Sequence, residues 1–122
     1  MIEFDEFWRC YPHYQQRSKK AMCRALFLKI TGVGHTVNVE GLAMFHQTSP
    51  GVIVSAAKAF HMTLIQSRTP ASGENRDYVP GAQVWLRQGR FEDMDDAERI
   101  DLANQYDQHK ARIVERARLR VV

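Results

Sequence analysis

The residues best able to do chemistry are spread along this chain rather than gathered. His13, His35, His46, His61 and His109 are its five histidines. None belongs to an H-E-x-x-H pair or to a Cys/His set at metal-ligand spacing, so nothing in the pattern closes a zinc tetrahedron. The two cysteines, Cys10 and Cys23, lack C-x-x-C spacing. Both fall on or beside apolar helical faces, where a thiol packs as a small hydrophobe. Ser49, Ser55 and Ser67 stand outside any nucleophile-elbow motif. G-V-G-H at 32–35 lacks the third glycine of a dinucleotide fingerprint and reads as a helix stop. The acidic run E-D-M-D-D-A-E at 92–98 has no calcium-loop glycine and reads as the solvated start of a helix. This pattern points to recognition rather than catalysis. No enzyme activity, metal, cofactor or small-molecule substrate is expected.

Recognition would then fall to the charges, which are segregated. The net charge is only +3, yet residues 9–90 carry eleven Lys/Arg against three acids, and residues 91–109 carry seven acids against Arg99 alone. Basic faces suit polyanions such as nucleic acid, and acidic faces suit basic partners; the blocks could also neutralise one another within the fold. Lys20 and Arg24 lie four apart on one helical face, with Arg17 a turn earlier and Lys19 beside them. These four, together with Arg87 and Arg90, are the candidate nucleic-acid contacts. A second basic group, Lys110, Arg112, Arg116 and Arg120, closes the chain. Arg112, Arg116 and Arg120 are spaced to form one exposed row on a helix, a candidate partner-binding surface.

Helices must position these residues. The 122-residue length fits one domain, residues 1–122, with a modest core. Phe4, Phe7, Trp8 and Tyr11 follow helical spacing up to Pro12. Ser18 caps a second expected helix whose stripe is Met22, Ala25, Leu26 and Ile30. Residues 38–47 read as a short helix capped by Asn38 and weakened by Gly41. Ser49 and Pro50 open a longer one. Pro80 starts a short turn of helix bearing Val84 and Trp85, Gly89 caps it, and Phe91 folds back over it. A long C-terminal helix runs from Asp93 to about Leu119, acids first and bases last, as the helix dipole favours. The expectation is an all-α domain of four to five helices without a β-hairpin. No apolar run is long enough to span a membrane, and two cysteines without C-x-x-C spacing suit a reduced cytoplasmic protein.

Two separated stretches carry a resemblance. F-D-E-F-W-R-C-Y-P supplies Phe4, Phe7, Trp8, Tyr11 and Pro12. Lys20 lies in the basic helix between the stretches. Y-V-P-G-A-Q-V-W-L-R-Q-G-R-F-E-D supplies Tyr78, Pro80, Trp85, Leu86, Arg90, Phe91 and Asp93. Together they resemble the C-terminal module of phage replication-initiation (replisome organiser) proteins, over residues 4–93. Residues 32–49 read as an insertion and 94–122 as a helical extension. The resemblance implies a non-catalytic role in phage or mobile-element DNA replication, with single-stranded DNA or the replicative helicase as partner. Its competitor is a small protein that binds and inhibits a host defence complex, such as a host nuclease or CRISPR complex. The aromatics of both stretches are expected to be structural, with Trp8 and Trp85 buried in one cluster.

Overall fold

The structure, a computed structural model, describes residues 2–13, 19–67 and 79–121, without the side chains of Val39, Arg120 and Val121. Among them are five α-helices: α1 (Ile2–Cys10), α2 (Lys20–Thr31), α3 (Pro50–Ser67), α4 (Ala82–Arg87) and α5 (Asp96–Val121). Between α2 and α3 stand two short strands, β1 (His35–Val39) and β2 (Leu42–His46). The domain is mostly helical with a long C-terminal helix, as its periodicity requires.

The two aromatic stretches meet in the core. Phe7 of α1 stacks on Trp85 of α4 with ring centroids 5.8 Å apart, Tyr11 meets the same indole edge-on at 5.6 Å, and Phe91 packs against it at 6.0 Å. The Tyr11 hydroxyl donates to the Pro80 carbonyl, which ties the end of α1 to the entry of α4. Phe4, Cys23, Phe27, Ile30 and Ile53 complete the cluster. Trp8 departs from expectation. It is half-buried on the flank of this core, because Phe4, Phe7 and Tyr11 already occupy the inward stripe. It packs against the His13 ring, 4.3 Å away, and under the Lys20 ammonium, 5.9 Å from the ring centre.

Three further expectations need correction. In α2 the inward face is Cys23, Phe27 and Ile30, an i, i+4, i+7 set, while Met22 and Ala25 point outward and Leu26 is half-buried. Helix α4 begins at Ala82 rather than at Pro80, because Gly81 holds the extended backbone of a helix-capping residue. Helix α5 begins at Asp96 rather than Asp93, because residues 90–92 form a separate 3-10 turn; the signals at Pro50 and Gly89 do hold. Pro50 is the first residue of α3, where its missing N–H costs nothing. Gly89 follows α4 with a left-handed φ of 66°. Asp95 caps α5 through its side chain, with Glu98 N donating to Oδ1 at 2.8 Å. Ser18 and Arg17 lie outside the described residues.

The segment expected as a helix over 38–47 is a β-hairpin. Its strands pair antiparallel from His35 with His46 to Val39 with Leu42. The loop between them is Glu40–Gly41, and both residues have positive φ, 53° and 83°. That is the mirror-image turn whose twist matches paired strands, and Gly41 is the residue it requires rather than a flaw in a helix. Asn38 therefore sits in a strand and caps nothing.

One ion cluster joins three helices. Lys58 of α3, nearly buried, places Nζ 3.0 Å from Glu6 of α1 and 3.0 Å from Asp107 of α5. Burial alone would lower its pKa, but hydrogen bonds to Asp107 and Glu6 outweigh that and raise it.

Candidate nucleic-acid interface

Two glycines let the hairpin lie against the helices. Gly34, at φ 95°, sits under the ring of Phe45, where an added Cβ would fall 2.1 Å from Cζ. Gly89 sits under the ring of His46, where a Cβ would fall 2.2 Å from Cε1. Neither position has room for a side chain. The base of the hairpin is fastened to the end of α2: Gly34 N donates to Lys29 O at 2.8 Å, Thr48 N to Ile30 O at 3.2 Å, and Gln47 Nε2 to Gly32 O at 2.7 Å.

Between the hairpin and the end of α4 runs an open groove of about 820 Å³. His35, Val37, Glu40 and Met44 line the hairpin side, and Arg87, Gln88 and Arg90 the helical side, so two arginines face one carboxylate. Arg87 is exposed and has no ion pair among the described residues. Arg90 Nε reaches Asp93 Oδ2 at 3.4 Å, so part of its charge is answered locally. Burial first, then the charge of Lys29 and those of His46 and Arg87, lowers the pKa of His35. Three cations, Lys29, Arg87 and Arg90, thus border this side of the molecule.

His35, which lines the groove, and His46, its partner across the strands, are the most unusual feature here. Neither ring nitrogen of His35 or of His46 has a hydrogen-bond partner among the described residues, although all four atoms are shielded from solvent. His46 Nδ1 stands 3.6 Å from Glu92 Oε1, an ion-pair distance beyond hydrogen-bond reach. Buried polar atoms left without partners cost stability and mark places where a ligand group or water is accommodated. Among the described residues no cluster of three or more His, Cys, Asp or Glu could hold a metal ion.

The hairpin also exposes apolar surface: Leu42 is 70% exposed, Phe45 60%, and Met44 nearly half. Strand alternation puts Met44 on the groove face and Phe45 on the opposite face.

The expected cations divide into three groups. Arg87 and Arg90 come together at the groove. Lys19, Lys20 and Arg24 are exposed at the other end of α2, with Lys20 turned toward Trp8. Arg24 is five residues before Lys29, hence about 140° round the helix from it, so this stripe does not continue into the groove. The third group projects on α5. Residues 110–119 are all exposed, including Lys110, Arg112 and Arg116; Lys110 lies 5.5 Å from the centre of the Tyr106 ring. Of the apolar positions at helical spacing along α5, Ala97, Ile100, Ala103, Tyr106, Ile113 and Ala117, only Ala103 and Tyr106 are buried. Glu6, one of the acids onto which the basic end could have folded, is held by Lys58 instead.

Lys29 and Met44 carry no sequence signal of a site, and His35 reads only as one of five scattered histidines. The signal that could have found them is the alternation Val37-x-Val39 and Leu42-x-Met44 either side of a two-residue turn. No family model matches the chain, and no curated protein or solved structure matches it. No described helix is long and apolar enough to cross a membrane.

Proposed function

We propose that the protein is a non-catalytic nucleic-acid-binding protein of phage or mobile-element DNA replication, which takes single-stranded DNA along the groove between the hairpin and α4. The observation that carries this reading is the pair Arg87 and Arg90 on one wall of a groove that is also lined by His35, whose ring nitrogens lack hydrogen-bond partners among the described residues. The Lys29 charge is near enough to His35 to lower its pKa. Cations spaced along an open groove track a phosphate backbone, and the apolar residues of a projecting ribbon offer surface to unstacked bases. The groove is open along its length rather than closed over a small substrate. The resemblance to replication-initiation modules supports the same reading from the aromatic framework. A protein partner, the replicative helicase or a host defence complex, is the second reading, favoured by the exposed basic helix beyond residue 109.

The test is a fluorescence-anisotropy titration of a labelled oligonucleotide, single-stranded and duplex, at several salt concentrations. The expected result is binding to the single strand that weakens as salt rises, with a log–log slope of about −2, as three phosphate contacts give. No binding at low salt, or binding indifferent to salt, would return the function to a protein partner.

A further inference from the structure

We propose that two copies of this chain associate through α5, antiparallel, with Val114 of each molecule seated against Ile100 of the other. Helix α5 is 26 residues long, and its last third stands clear of the domain. Val114 is 61% exposed there, and Ile100, in the acidic first half, is 51% exposed although the helix around it packs on α3. At about 100° per residue, fourteen residues bring Ile100 to within about 40° of Val114, so both lie on one face. Asp96 falls on the line of Val114, and Arg118 on the line of Ile100. The face has an exposed apolar residue at each end, while at its middle Asp107 is paired with Lys58 of α3.

Charge decides what covers it. The first half of the helix is acidic and the last part basic, so parallel pairing would oppose like charges and antiparallel pairing opposes unlike ones. Antiparallel pairing centred on Asp107 sets Ile100 opposite Val114 and Asp96 opposite Arg118, each twice by symmetry. Asp107 meets its own copy at the centre, and each is already held 3.0 Å from the Lys58 of its own chain. The receiving surface is shaped for a helix edge. Ile100, Ala103 and Asp107 open onto a groove of about 320 Å³ whose far wall is Glu3, Glu6 and Val54. Lys58 lines the groove too and pairs with Glu6 and Asp107, but with Glu3 the acids outnumber it, which suits the arriving Lys110 and Arg118. Arg112 and Arg116, about 160° round on either side from Val114, stay on the outer surface and remain open to a polyanion.

Sedimentation velocity of the full chain over a range of concentrations tests this, with circular dichroism to show that each variant is folded. The expected result is a reversible dimer that weakens when salt is raised from about 50 to about 300 mM. Val114→Glu should leave a folded monomer. Arg118→Asp should raise the dimer dissociation constant about tenfold, since two exposed ion pairs are lost and replaced by repulsion. Asp96→Arg combined with Arg118→Asp should restore it to within about threefold of the original, because the pairs re-form with reversed sign. A chain that stays monomeric at low salt overturns the proposal. So does a dimer indifferent to Val114→Glu, or a double variant no tighter than Arg118→Asp alone.

Discussion

The corner around Trp85 and the hairpin beside it are both rich in aromatic and apolar residues, and they touch: His46 of the hairpin meets Phe91 of the corner edge-on at 5.8 Å. Their fates differ. Trp85 is 1% exposed and ringed by Phe7, Tyr11, Phe60 and Phe91, drawn from three separate parts of the chain. Phe45, Leu42 and Met44 pack mainly within their own ribbon and against Gly34, and stay open to solvent. A side chain is buried by long-range partners, and the ribbon has few of them. The corner is therefore where stability resides, and the ribbon with its neighbouring cations is where binding is to be sought.

The sharpest way to break that comparison is to truncate one aromatic from each side. Trp85→Ala should cost about 3–5 kcal/mol in urea unfolding, the usual range for a buried aromatic, and a large part of the stability of a domain this size. Phe45→Ala should cost less than about 1 kcal/mol, since most of its ring is already in water. If the two variants unfold alike, the ribbon belongs to the core and the division fails.

A second, smaller effect concerns the polar counterpart of the corner. Lys58→Ala removes the shared partner of Glu6 and Asp107 and should cost about 1–2 kcal/mol. It should not cost more, because both carboxylates keep solvent contact. The raised pKa of Lys58 gives the sign with pH. Its contribution is complete below the ordinary lysine value of 10.5 and is lost as pH rises through the higher folded value. Wild type and Lys58→Ala should thus converge in stability in strong base, which chemical unfolding at a series of pH values would show.

Acidification probes the ribbon. The pKa of His35 is lowered by burial and by Lys29, His46 and Arg87. That of His61 is lowered by burial and by Lys110 and other histidines, against the hydrogen bond to Cys10 O. Unfolded imidazoles take up protons near 6.5, before the folded ones do, so stability should be full above that pH and decline below it. His35→Gln should lessen the decline. A melting temperature that holds steady or rises from pH 7 to 5 would contradict the assignment.

How far the sequence displayed this molecule follows from where its contacts lie. Helices α1, α3 and α5 were legible because their caps and apolar spacing are local: Pro50 opens α3, and the acids and bases of α5 follow its dipole. The meeting of Tyr11, Trp85 and Phe91 was legible because aromatics flanking Pro and Gly have few other places to go. The hairpin was not legible. Its turn places Glu40 at positive φ, a position where Asn or Asp is the familiar signal, and Asn38 imitates a helix cap two residues earlier. Within α2, Met22 and Cys23 are both apolar, and only tertiary packing decides which faces inward. The groove was lost with the hairpin: Arg87 and Arg90 stood out, but His35, Val37 and Met44 face them only once the strands pair.

The central claim is that the groove, and not the Lys20 and Arg24 stripe, receives the nucleic acid. It is tested most directly by measuring the salt dependence of single-strand binding for two double variants, Lys29→Ala with Arg87→Ala, and Lys20→Ala with Arg24→Ala. All four side chains are exposed, so both variants should fold. The groove variant should bind weakly and show a log–log salt slope flatter by about 1.4, the loss of two phosphate contacts. The α2 variant should keep nearly the wild-type slope. The opposite ranking, or a groove variant with unchanged affinity and slope, would contradict the account.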